Sequence, residues 1–235
     1  MDKKHRWFNW LNSGGGFTPD LTPTVFQDAL AGYTFQIDRA WNDIPTIGPK
    51  FTGSSSFNVT YKDGIVDRAI GLGGSNCGLL LGDESEWSFG NGTTDNATGF
   101  SISMWYKPTA FDKQRWLVSK RGSVSTDMEY EMRVDVTTGY VRTFRYSALG
   151  NTNRQSKITT SGLTVGQWNL IVWTYTPANG DRVYINGASQ SFTDNSTGTY
   201  VAMNNGTSQL VIGQQSYSGF SGSSAAYGDI CQPVI

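Results

Sequence analysis

A single histidine, His5, is all the imidazole the chain carries, and it sits at the very start. Its position excludes a Ser-His-Asp or Cys-His catalytic site in the body of the chain, and any histidine-based metal centre there. Cysteine is nearly as scarce. Cys77 and Cys231 can form at most one bridge, so no disulfide framework supports the fold, and two reduced, buried thiols are expected. Charge is thin too: 18 Lys and Arg against 19 Asp and Glu amount to 16% of 235 residues, with a net charge of -1. Such a balance gives no global field to draw in nucleic acid or anionic lipid, so no nucleic-acid partner is expected. No apolar run approaches the roughly 18 residues of a membrane-crossing helix, so no membrane span is expected. The stretch Met1 to Trp10 is basic but lacks the apolar core of a secretory leader, and its glycine-rich neighbour has no phosphate-loop spacing.

What the chain does have is glycine and aromatics: 28 Gly, 8 Trp, 11 Tyr and 12 Phe. This composition favours strands and tight turns over helices. From Tyr33 onward an alternation of period two dominates. Phe100, Ile102 and Met104 alternate with polar neighbours until Pro108, which cannot donate to a ladder. Further strands are predicted over 116–120, 130–136, 140–146, 168–175, 181–185 and 209–212. Thr138-Gly139, Asn179-Gly180, Asn186-Gly187 and Asn205-Gly206 are the turn signals between them. Many short strands and no helical stripe mean an all-β, antiparallel sandwich or barrel.

Residues 1 to about 30 read differently. A basic and aromatic opening (Lys3, Lys4, Arg6, Trp7, Phe8, Trp10) precedes Asn12-Ser13-Gly14-Gly15-Gly16 and a stretch holding Pro19 and Pro23. This is an N-terminal arm, and large aromatics on an arm are residue types that anchor interfaces. A free tail is the alternative reading.

The order of the motifs resembles the laminin-G-like branch of the concanavalin A-like lectin and glucanase jelly rolls. Gly64 to Asn76, with its Gly74-Ser75 dipeptide, resembles an early strand of that family. Phe100, Ile102, Trp105, Lys107 and Pro108 match its Phe-x-Ile-x-x-Trp-x-Lys-Pro strand, and Leu117 to Lys120 its Leu-Val-Ser-Lys strand. Gly166-Gln167-Trp168 running to Thr174-Tyr175, followed by Tyr184-Ile185-Asn186-Gly187, matches its most specific strand and hairpin pair. Leu210 to Gly213 and Gly228 to Ile230 resemble its last strands. The resemblance covers residues 31 to 235 and implies an antiparallel two-sheet jelly-roll sandwich behind the arm. The family usually continues past the strand in which this chain ends, so either a closing segment follows or another subunit supplies one.

Members of this fold include glucanases, lectins and structural modules, so each site must stand by itself. Asp127, Glu129, Glu131, Arg133 and Asp135 alternate along one side of a predicted strand, with Tyr130, Met132 and Val134 on the other. A retaining glucanase needs a nucleophile and an acid about 5 Å apart. The order of these carboxylates differs from the glucanase stripe, however, and Arg133 would neutralise its neighbour. The expectation is a solvated face on a half-buried strand, with no catalytic residues and no enzyme activity. The resemblance implies Ca²⁺ as a cofactor, with Asp63, Asp67, Asp95, Asn96, Asp194, Asn195 and Asp229 as candidate ligands, Asp63, Asp67 and Asp229 foremost, although all of these types are also default turn formers. Tyr217, Phe220 and Tyr227, in or beside a Gly/Ser-rich loop, are the candidate sugar-stacking residues, and Trp105, Trp168 and Trp173 are assigned to the core. Two functions follow. One is a non-catalytic structural or attachment protein on a viral, phage particle, joined to other virion subunits through the arm and able to bind a cell-surface glycan. Its expected location is a virion assembled in the host cytoplasm. The other is a soluble, extracellular carbohydrate-binding module or glucanase-like hydrolase.

Overall fold

The computed structural model describes residues 59–65, 68–83, 85–124, 127–147, 149–215 and 225–235. In chain order the strands are β1 (Val59–Asp63), β2 (Arg68–Gly73), β3 (Leu79–Gly82), β4 (Phe100–Pro108), β5 (Arg115–Arg121), β6 (Met128–Val134) and β7 (Tyr140–Ser147). They continue as β8 (Gly150–Gly162), β9 (Asn169–Thr176), β10 (Gly180–Ile185), β11 (Ala188–Ser189), β12 (Phe192–Asp194), β13 (Leu210–Ile212) and β14 (Tyr227–Val234). They form two seven-stranded sheets, ordered β1-β2-β14-β4-β9-β10-β11 and β12-β8-β7-β6-β5-β13-β3. The strand pairs within both sheets are antiparallel, which gives the expected all-β sandwich. Among the described residues, no helix is long and apolar enough to cross a membrane.

Alternation explains the first sheet. On β4, Phe100, Ile102, Met104 and Tyr106 are buried, and on β9 Ile171, Trp173 and Tyr175 are. The register pairs Ile102 with Trp173 and Met104 with Ile171, so both rows point to one face. Against them lie Leu117, Tyr130, Met132, Val134 and Val141 of the second sheet. The middle of the core is aromatic: Phe100 stacks on Phe89 at 4.6 Å and meets Trp173 edge-on at 4.8 Å. Trp105 and Trp168 are only half-buried, unlike the core placement expected for them. Trp105 has the opposite parity to Met104 and Tyr106, so it stands on the outer face of its sheet.

Turn chemistry is local and behaves accordingly. Asn186 and Gly187 have φ of 52° and 82°, the two left-handed residues of a tight hairpin between β10 and β11. The Asn186 side chain also accepts from the Leu170 amide at 2.8 Å, tying that turn to β9. Asn205-Gly206 lies instead in the loop between β12 and β13, where the Gly206 amide donates to Glu129 at 3.0 Å. The described part of the fold begins at Val59, so the boundary expected near residue 30 lies outside it, as do Lys3, Lys4, Arg6, Trp7, Phe8 and Trp10. Both cysteines are buried, and neither is in a disulfide.

Candidate functional site

The cross-strand register of the second sheet sets out its outer face. Trp116 lies opposite Arg133, Arg133 opposite Arg142, Glu131 opposite Phe144, Phe144 opposite Ser156, and Tyr146 opposite Arg154. Residues directly opposite each other project to the same side, so these groups make one layer on β5, β6, β7 and β8. The inner side of the same strands carries Tyr130, Met132, Val134 and Val141 in the core.

This corrects the expected solvated face. Glu129 and Glu131 are both fully buried. The cause is the planar groups that flank Glu131. Trp116 Nε1 and the Tyr146 hydroxyl each donate to it at 2.9 Å, Arg121 pairs with it at 3.2 Å, and Arg133 lies at 3.6 Å. The expected neutralisation by Arg133 is present, with three further partners. Glu129 has left the row at a register irregularity between β5 and β6, and its Oε1 meets Lys120 Nζ at 2.6 Å. Burial pushes the Glu129 carboxyl up to about 7, outweighing the opposite pull of Lys120. Asp127 is occupied as a loop anchor, accepting from the Ser208 hydroxyl at 2.7 Å and the Ser208 amide at 3.1 Å. With these partners the stripe forms no pair of poised carboxyl groups.

Above the rings the layer is cationic. Arg133 stacks on Phe144 at 4.6 Å and on Trp116 at 5.3 Å, Arg142 on Phe144 at 4.7 Å, Arg154 on Phe144 at 5.4 Å, and Arg121 on Tyr146 at 5.6 Å. Phe144 and Tyr146 are themselves parallel at 5.8 Å. Asp135 is shared by Arg133 at 3.6 Å and Arg142 at 3.8 Å, both beyond hydrogen-bond distance. Burial and the like charges of Arg133 and Arg154 pull the Arg142 guanidinium below its ordinary range, with Asp135 pulling the other way. The layer could have been suspected from Arg133, Arg142 and Arg154 alternating with Phe144 and Tyr146, but only the register brings the three strands together.

The residues expected to bind ligands are placed as follows. Tyr227 opens β14, is about one-third exposed, and has the Arg115 guanidinium 5.3 Å from its ring centre. Its expected companions Tyr217 and Phe220 lie outside the described residues, as does Asp67. Asp63 pairs across to Arg68 and Asp229 to Gly71. Those positions lie on opposite flanks of β2, about 10 Å apart along the strand alone, so Asp63 and Asp229 cannot share an ion. Asp229 already pairs with Lys62 at 2.9 Å. Among the described residues no three His, Cys, Asp or Glu side chains gather where they could hold a metal. Asp95 accepts from the Tyr175 and Tyr200 hydroxyls at 2.5 and 2.9 Å and from the Met203 amide at 2.6 Å. That makes it a structural clamp, reached also by Arg145 at 3.4 Å. Arg145 bridges to Asp181 at 2.8 Å; burial alone would lower its pKa, but Asp181 holds it raised. Asp194 pairs with Lys157 at 2.5 Å.

Two antiparallel seven-stranded sheets, with a layer of arginines and aromatics on one outer face, make a lectin-like β-sandwich. The chain belongs to the concanavalin A-like lectin/glucanases superfamily, its residues 81–235 matching the Laminin_G_3 family. Among solved structures it is similar to the binding domain of Paraclostridial Mosquitocidal Protein 1, with a TM-score of 0.62 and 14% identity over 88% of this chain and 48% of that one. It is also similar to the botulinum neurotoxin serotype G binding domain, with a TM-score of 0.58 and 11% identity over 88% of this chain and 47% of the other. A third likeness is to the CBM40 of the Ruminococcus gnavus IT-sialidase, with a TM-score of 0.51 and 14% identity over 74% of this chain and 90% of the module. Identities this low show a shared fold, and the chain spans about half the length of the two toxin binding domains. No curated protein matches it.

Proposed function

We propose that this protein is a non-catalytic attachment protein whose sandwich binds a surface glycan through the outer face of β5, β6, β7 and β8, and that a phage particle carries it. The observation that supports glycan binding is the layer on that face: planar guanidiniums stacked over buried rings and anchored by Glu131 beneath. Stacked planes with fixed donors suit a sugar, which offers both a flat apolar side and a fringe of hydroxyls. The neighbours of known structure include toxin binding domains and a carbohydrate-binding module, which fits a recognition role for the fold. Hydrolysis has no support from the acidic stripe, because Glu131 is held by four partners and Glu129 by Lys120. The phage setting is supported by the arm, whose aromatics and lysines suit a grip on an acidic, pocketed shell, and by a body poor in charge. The direct test is a glycan array probed with the full chain, together with immunogold imaging of the native source. Binding to defined glycans and gold on particles are the expected results. An array with no signal would refute glycan binding, and gold confined to soluble fractions would refute the particle.

A further inference from the structure

Two arginines on the outer face of β5, β6, β7 and β8 narrow the ligand. Arg133 and Arg142 lie opposite each other there, with the carboxylates Glu131 and Asp135 beside them. Glu131 lies at the bottom, fully buried, and spends its oxygens on Trp116, Tyr146, Arg121 and Arg133. Asp135 is left to serve both Arg133 and Arg142, at 3.6 and 3.8 Å. Neither contact is a hydrogen bond, and Arg133 Nε is buried without a hydrogen-bond partner. Arg142 spends its Nε on the Ser156 hydroxyl at 3.2 Å, which leaves its outer nitrogens with only the distant Asp135. The Arg133 and Arg142 side chains are 11% and 13% exposed, so part of each meets solvent.

Resting on the glycan-binding reading, we propose that the ligand is an acidic glycan, whose carboxylate or sulfate group docks on Arg133 and Arg142. The paired oxygens of a carboxylate or sulfate suit guanidinium forks that are already fixed by stacking, since little side-chain freedom remains to be lost on binding. It also relieves the mutual repulsion of Arg133, Arg142 and Arg154. A neutral sugar would stack on the same face without doing so.

The test uses the full chain on an array in which each neutral oligosaccharide stands beside its sialylated, uronic-acid and sulfated counterparts, followed by calorimetry on the best pair. The expected result is at least about tenfold tighter binding of the acidic member, weakening several-fold as salt rises. Carboxylate and sulfate arms separate the two sources of the anion. Arg142→Gln should abolish the preference, while Arg142→Lys, which keeps the charge but not the fork, should restore part of it. Salt dependence of the unaltered protein needs no variant, so a misfolded substitution cannot mask the answer. Equal, salt-independent binding of neutral and acidic members would overturn the acidic ligand and leave glycan binding intact. Binding of neither would overturn both.

Discussion

Glu131 is the residue on which the outer layer turns. Four side chains of β5, β6 and β7 converge on its buried carboxylate, so its removal leaves arginines beside an unfilled hole. Glu131→Ala is expected to cost about 3–5 kcal/mol in urea unfolding. A loss below about 1 kcal/mol would mean that the network adds little to stability. Glu129 gives a pH signature. Its folded pKa of about 7 lies above the ordinary carboxyl value of 4.5, so the folded state binds the proton more tightly than the unfolded one. The resulting stabilisation is complete below about pH 4.5 and is lost as pH rises through about 7, by up to about 3 kcal/mol. Unfolding free energies of the wild type and Glu129→Gln, compared from pH 4.5 to 8, should diverge by that slope; parallel curves would contradict it. Neither behaviour was legible in the sequence. Asp127 to Asp135 alternates just as a solvated strand would, and nothing local announces that Trp116, Tyr146 and Arg121 close over it.

At the scale of the element, strands with an apolar row were legible and polar ones were not. The observed β4, β5, β7, β9, β10 and β13 lie within a residue or two of the predicted runs, because one buried face imposes period two on the sequence. The thirteen-residue β8 has few apolar side chains and lies outside the predicted runs. It is a strand because β7 and β12 offer it backbone partners on both sides, a long-range cause. The Asn186-Gly187 hairpin was legible, since its two left-handed residues are a local demand. Close backbone approach leaves its own mark at Gly228 in β14. With φ at 141°, a Cβ there would stand 2.1 Å from the Lys107 carbonyl of β4. Gly228→Ala is therefore expected to cost at least about 1–3 kcal/mol from backbone strain, read as a fall in Tm. An unchanged Tm would mean that the β14–β4 pairing is looser than described.

For the molecule as a whole, motif order carried the sandwich and its superfamily, while the binding face depended on register that no single strand reveals. The two buried cysteines offer a check on the assembled core. Two thiols per chain should react with a thiol reagent after denaturation and neither in the native state. Rapid reaction of the native protein would place Cys77 or Cys231 at the surface. For the arm, deleting residues 1 to 16 should leave a stable sandwich that still binds its glycan but no longer joins its particle; incorporation at wild-type occupancy would remove the arm from the account. The most direct measurement is amide chemical-shift mapping of the full chain, titrated with the tightest glycan from the array. The largest shifts are expected on β5, β6, β7 and β8, around Arg133, Arg142 and Phe144. Shifts centred on Tyr227 or on the Ser88 to Asn96 loop, with those strands unmoved, would contradict binding at this face.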